Sequence, residues 1–142
     1  MTDEIRKQLR VGCYGILVED GKLLLSRFIG GREPIWILPG GGMDHGEHPE
    51  DAVLRELTEE SGYTGEVVRL VGVGSLHNPR REWDGEVVDH QTLRILYELR
   101  LTGGELVYEV GGSTDRAEWF PLEALPERGD FVDEALRMWR EK

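Results

Sequence analysis

Apolar and polar positions alternate in short runs over much of the chain, and the first forty residues read as strands. Val11 to Val18 is an apolar run, Glu19-Asp20-Gly21-Lys22 has the composition of a tight turn, and Leu23 to Phe28 returns as a second strand. Together they predict a hairpin. Gly30-Gly31-Arg32-Glu33-Pro34 interrupts the pattern, and Ile35 to Leu38 forms a short strand that Pro39-Gly40-Gly41-Gly42 stops. Pro49 to Ser61 predicts a helix: Pro49 suits its first turn, Glu50 and Asp51 suit the positive end of its dipole, and Gly62 closes it.

Strands are expected next at Val67 to Leu76 and within Val87 to Leu101, where Leu93, Ile95, Tyr97 and Leu99 alternate. The polar stretch Asn78 to Glu86 between them reads as a loop. Leu106 to Val110 and Ala117 to Phe120 are two further expected strands. Helical spacing of Phe131, Ala135, Leu136 and Trp139 predicts a last helix over Phe131 to Arg140. The pattern is that of a strand-rich α/β domain.

At 142 residues, the chain fits one domain, residues 1–142. It is 39% hydrophobic, enough for a core, and its single cysteine, Cys13, excludes an internal disulfide. Cys13 lies inside an apolar run and reads as a small buried hydrophobe. The first ten residues are charged, with no apolar leader, and nothing approaches the roughly 18 apolar residues of a membrane span. The cytoplasm is therefore the expected compartment, with no membrane partner. The net charge of −11 disfavours a nucleic-acid polymer as a partner. It is compatible with a phosphorylated small molecule where cations bridge the two acidic partners.

The chemistry concentrates between Gly41 and Tyr63. After Gly41 come five residues, Glu47, seven residues, and then Arg55-Glu56-Leu57-Thr58-Glu59-Glu60-Ser61-Gly62-Tyr63. Glu56 stands three and four residues from Glu59 and Glu60, so their carboxylates share a helix side. Like charges at this spacing repel, and a divalent cation such as Mg2+, which takes hard oxygen ligands, removes the conflict. Arg55 is four residues from both Asp51 and Glu59 and can pair with either. A solvated acidic helix face would explain the glutamates alone. It does not explain the fixed gaps, the glycine loop and the strand before them.

Gly41–Tyr63 resembles the Nudix box, the signature of hydrolases acting on nucleoside diphosphates linked to another moiety. Trp36-Ile37-Leu38-Pro39-Gly40-Gly41 and Glu118-Trp119-Phe120-Pro121-Leu122 also look like family features. One departure is Tyr63, where the family usually has a bulky aliphatic residue that packs. The resemblance implies an α/β/α sandwich around a central mixed β-sheet, MutT-like pyrophosphohydrolase activity, and Mg2+ or Mn2+ as cofactor. It implies Glu56 and Glu60 as ligands, Glu59 as ligand or base, and the Gly40 carbonyl as a further ligand. Glu47 would brace the turn into the helix and Arg55 would orient a glutamate. Asp115 and Glu118 are later-loop candidates for the base. Homodimers are common in the family, and Phe131, Met138 and Trp139 can pack within the domain or across an interface.

The expected partner is a nucleotide-type small molecule: a nucleoside di- or triphosphate, or a nucleoside diphosphate joined to another group. In the family that the box resembles, a proline about sixteen residues beyond it is associated with ADP-ribose hydrolases, so Pro79 keeps ADP-ribose as an alternative, beside a sugar nucleotide. A non-catalytic binding module of the same fold, or a structural acidic domain, is the reading of another class. Arg27, Arg80, Arg81 and Trp83 are candidate substrate contacts, as phosphate donors or a stacking surface. His77 and His90 flank that patch and are expected at the surface. His45 and His48 lack the spacing of a zinc pair. No Gly-Lys-Ser/Thr follows the glycine loop, and the later glycine of a dinucleotide fingerprint is missing.

Overall fold

The computed structural model describes residues 4–141. In chain order the elements are β1 (Lys7–Glu19), β2 (Lys22–Phe28), β3 (Ile35–Ile37), β4 (Gly40–Gly42), α1 (Pro49–Ser61), β5 (Tyr63–Trp83), β6 (Glu86–Gly104), β7 (Thr114–Pro121) and α2 (Asp130–Arg140). The strands form a seven-stranded sheet in the order β3-β2-β1-β6-β5, with β4 paired to β1 and β7 to β2. It is mixed: β1 and β6 run parallel, from Lys7↔Asp89 to Leu17↔Leu99, while the other pairs are antiparallel.

Period-two side-chain alternation separates two cores. Cys13 and Leu17 of β1 pack with Ala52, Val53 and Leu57 of α1. Ile16, between them in β1, joins Leu96 of β6 and Phe131, Val132, Ala135 and Leu136 of α2. The helices thus cover opposite faces of the sheet, the α/β/α sandwich expected from the sequence. Met138 and Trp139 pack on the second core inside this chain.

Two expected elements differ. Asn78 to Glu86 is not a loop. β5 continues to Trp83 and β6 begins at Glu86, joined by Asp84 and Gly85 with φ of 51° and 79°. Two consecutive positive φ values are those of a type I′ hairpin turn. Register shifts between Asn78 and Arg81, at Pro79-Arg80, where proline has no N–H for the ladder. Leu106 to Val110 forms no strand. Its chain is instead tied to the end of α1, where the Val107 N–H donates to the Ser61 carbonyl. No described helix is long and apolar enough to cross a membrane.

Candidate active site

The glycine loop is fastened to β1 from both ends. Gly40, Gly41 and Gly42 pair with Tyr14, Cys13 and Gly12. The Gly15 N–H donates to the Pro39 carbonyl and the Met43 N–H to the Val11 carbonyl, each at 3.0 Å. Gly40 has φ of 148°, and a Cβ there would collide with the Cys13 carbonyl. A Cβ on Gly41 would lie 2.9 Å from the Glu56 carboxyl carbon. At Gly40 only glycine lets the loop lie against β1, whereas at Gly41 the lack of a Cβ leaves room for the Glu56 carboxylate.

α1 begins where His48 Nδ1 accepts from the Glu50 N–H, and it ends at Gly62 in the left-handed region. His48 is thus a helix cap, and His45 is exposed.

Arg55 organises the glutamates. Its Nε and Nη2 donate to Glu47 at 2.8 and 3.0 Å, and Nη2 also reaches the Gly42 carbonyl at 3.2 Å. Nη1 donates to Glu56 at 3.2 Å and Glu59 at 3.3 Å. Of the two partners its spacing allowed, Arg55 takes Glu59. Glu47 also accepts from the Asp44 N–H. The Arg55 hydrogen bonds, and then that backbone N–H, hold the Glu47 carboxyl down to about 2.

Glu60, one turn beyond Glu56, is 2% exposed. Its carboxyl accepts from the Gly40 N–H at 3.3 Å. Burial, and then the adjacent Glu56, raise its pKa well above the usual carboxylate range, and Ser26 and the Gly40 N–H act against that rise. The wholly buried Ser26 hydroxyl lies close enough to Glu60 to favour its ionised form, but makes no hydrogen bond of good geometry among the described residues. Two neighbouring carboxyls, one buried, beside an unsatisfied hydroxyl form a donor set that a hydrated divalent cation would complete. Glu59, about half exposed and held by Arg55, lies at the rim. Among the described residues no three acidic or histidine side chains are already gathered as a ligand cluster.

The other candidate residues are distributed around this centre. Arg27 makes two hydrogen bonds to Asp115, at 2.9 and 2.5 Å, joining β2 to β7. That pairing holds the Asp115 carboxyl below its usual range. Glu118 pairs with Arg116 at 3.3 Å. Arg80 is exposed at the β5 bulge. Arg81 and Trp83 line a cavity of about 430 Å3 on the α2 face of the sheet, and Trp83 stacks on His90.

His90 corrects the surface expectation. It is buried, with its ring nitrogens 2.6 Å from Gln8 Oε1 and 2.7 Å from Thr92 Oγ1. Its position within β6, between β1 and β5 and under Trp83, removes it from water. His77 is exposed, as expected, 2.6 Å from Asp89. Cys13 is buried, and burial first raises its thiol to about 11. The Tyr63 hydroxyl accepts from Trp119 Nε1 at 3.0 Å, so this departure from the usual aliphatic residue packs as expected.

Sequence reasoning missed Arg10, Tyr14, Ser26 and Arg94. Arg94 carried a signal: it precedes the fully buried Leu96 by two residues in β6 and so shares its inward face.

The sequence matches the NUDIX domain family over residues 6–139. This chain belongs to that family. Among its Nudix relatives, an ADP-ribose pyrophosphatase of Methanocaldococcus jannaschii is 38% identical over 117 residues, 82% of this chain and 64% of the relative. Diphosphoinositol polyphosphate phosphohydrolase 3-alpha of Mus musculus is 34% identical over 122 residues, 83% of this chain and 65% of that one. The chain therefore spans just under two-thirds of these relatives' lengths. The crystal structure of a MutT NUDIX hydrolase from Burkholderia pseudomallei superposes with a TM-score of 0.76 at 30% identity, covering 92% of this chain and 98% of that one. The Nudix fold thus accounts for almost all of the described residues.

Proposed function

We propose that this chain hydrolyses a pyrophosphate bond in a nucleoside di- or triphosphate, or in a nucleoside diphosphate joined to another group, with Mg2+ or Mn2+. The observation that carries this reading is the buried Glu60 carboxyl beside Glu56 and the unsatisfied Ser26 hydroxyl. A helix that needed only solubility would not bury an acid beside a second carboxyl, where burial and its neighbour disfavour the ionised form.

In this reading Glu56, Glu60 and the Gly40 carbonyl would hold the cation, with Glu59 as a further ligand or as the base. A bound divalent ion supplies neutralisation of diphosphate charge and a lowered pKa for water. Glu59, positioned by Arg55, takes a proton from the attacking water. A bond forms between the water oxygen and one phosphorus, and the bridging oxygen leaves with the second phosphate, which receives the proton. Arg55 and Glu47 keep Glu56 and Glu59 in register with the glycine loop. Asp115 and Glu118 are the alternative bases. The Arg27 pairing makes Asp115 the weaker of these acceptors.

ADP-ribose is the second substrate reading, supported by the likeness to the ADP-ribose pyrophosphatase of M. jannaschii and by Pro79 in the β5 bulge.

The test is turnover across a panel of nucleoside triphosphates, oxidised nucleotides, ADP-ribose, sugar nucleotides, dinucleoside polyphosphates and NADH. Phosphate release is read with coupling phosphatase or pyrophosphatase under Mg2+, Mn2+ or EDTA. Chelator-sensitive turnover of one compound supports the reading and names the substrate. Tight metal binding without any turnover favours the non-catalytic binding module instead.

A further inference from the structure

In a chain of net charge −11, Arg10, Arg81 and Arg94 line one cavity, and none has a carboxylate within salt-bridge distance among the described residues. Arg6, Arg55, Arg69 and Arg128, by contrast, are all ion-paired. Aromatic rings support the three instead. Arg10 and Arg81 lie over Trp83 at 5.5 and 4.9 Å, and Arg94 lies over Phe131 at 5.0 Å. A guanidinium held by its face keeps its N–H edges free, and two such edges suit the oxygens of a phosphate. Their field reaches His90 behind Trp83, whose pKa is lowered first by burial and then by Arg81 and Arg10.

The cavity reaches the catalytic loop. Tyr14 is in its wall and pairs with Gly40 across the strands. Arg10 Nη2 lies 2.7 Å from where a Cβ on Gly42 would stand. The wall contributed by α2 carries Asp130 and Glu134. A purely anionic guest would be repelled there, whereas carboxylates accept from sugar hydroxyls.

We propose that this cavity binds a phosphate monoester on a sugar or polyol at the uncleaved end of the substrate. Arg10, Arg81 and Arg94 take the phosphate, and Asp130 and Glu134 take the hydroxyls. The word substrate rests on the hydrolase reading. The binding site does not.

The experiment is isothermal titration of the full chain in EDTA with ribose 5-phosphate, ribose and inorganic phosphate. Ribose 5-phosphate is expected to bind, more weakly as salt rises, and to lose about tenfold or more affinity in Arg81→Gln and in Arg94→Gln. Arg100→Gln, exposed near the far end of β6 and not among the cavity-lining residues, serves as the charge control and is expected to leave binding unchanged. Melting curves of each variant separate lost binding from lost folding, and Arg81, two residues before the end of β5 in the β5–β6 hairpin arm, is the safer of the two. Equal binding by the wild type and Arg81→Gln, or no binding at all, overturns the site. Inorganic phosphate binding as tightly as ribose 5-phosphate overturns the role of Asp130 and Glu134. Failure of the hydrolase reading would appear separately, as binding intact with no metal-dependent turnover of any diphosphate.

Discussion

Arg55 and Glu47 are joined by two hydrogen bonds of 2.8 and 3.0 Å between one guanidinium edge and one carboxylate. The same guanidinium holds the Gly42 carbonyl, Glu56 and Glu59. Lysine keeps the charge but cannot span these acceptors. Arg55→Lys is expected to lower kcat by about 10- to 100-fold at saturating metal while the melting temperature changes little. Steady-state kinetics and thermal melting check this. Unchanged kcat would show that Arg55 positions nothing the reaction needs.

The Glu47 carboxyl, held down to about 2 by Arg55 and the Asp44 N–H, links the same contact to pH. A carboxyl whose folded pKa lies below its unfolded value contributes stability above the unfolded pKa and loses it as pH falls through the folded one. Wild type should therefore exceed Glu47→Gln in stability near neutrality. The gap should close as pH drops from about 4.5 toward 2. Urea denaturation of both proteins at several pH values measures it, and a gap independent of pH would remove the ionised pair as its cause.

Glu60→Gln preserves the shape and cannot ionise. In EDTA the variant should melt higher than wild type, because burial disfavours the ionised acid. Its Mn2+ affinity should fall by more than the roughly 10- to 100-fold expected of a residue that only orients ligands. Calorimetric titration with Mn2+ decides it: unchanged affinity would eliminate Glu60 as a ligand.

Gly41→Ala tests the close approach of loop and helix. The new Cβ meets the Glu56 carboxyl at 2.9 Å, the movable end of a flexible side chain. Folding should lose little, about 1 kcal/mol or less, whereas turnover should fall by about tenfold or more as Glu56 is displaced. An alanine variant with full kcat would mean that the Glu56 position is not critical.

Much of the architecture was legible because its signals were local. The hairpin at Asp20-Gly21, the helix from Pro49 to Gly62 and the last helix each carry their period and their punctuation within a dozen residues. The far end of the β5–β6 hairpin was not legible from periodicity. Pro79, Arg80 and Glu82 are exposed, so no alternation with buried apolar residues marks the strand. Only Asp84-Gly85 betrayed the turn. Leu106 to Val110 misled in the other direction: apolar content was present, but the backbone bonds there go to the end of α1.

The spacing of the glutamates foretold which carboxylates gather on α1, because helix geometry relates neighbours three and four apart. It could not reveal that Arg10 and Arg94 meet at one cavity with Arg81, since that meeting depends on strand order and on the placement of α2. His90 was misread for the same reason. Its burial comes from Gln8, Thr92 and Trp83, and the first of these is 82 residues away.

The parallel pairing of β1 with β6 also governs how the chain is made. Lys7 must wait for Asp89, and Leu17 for Leu99. At about 5–20 residues per second, β1 leaves the ribosome roughly 4–16 s before its partner. Until then it has only the two paired positions nearest the β2 turn, Val18↔Leu23 and Glu19↔Lys22, and the short β4 contact to occupy its edges. The β5–β6 hairpin, by contrast, closes locally on a microsecond scale. Of the described elements the central strand is thus synthesised first and secured among the last, so the interval before residue 99 emerges is when its edges lie most open to aggregation.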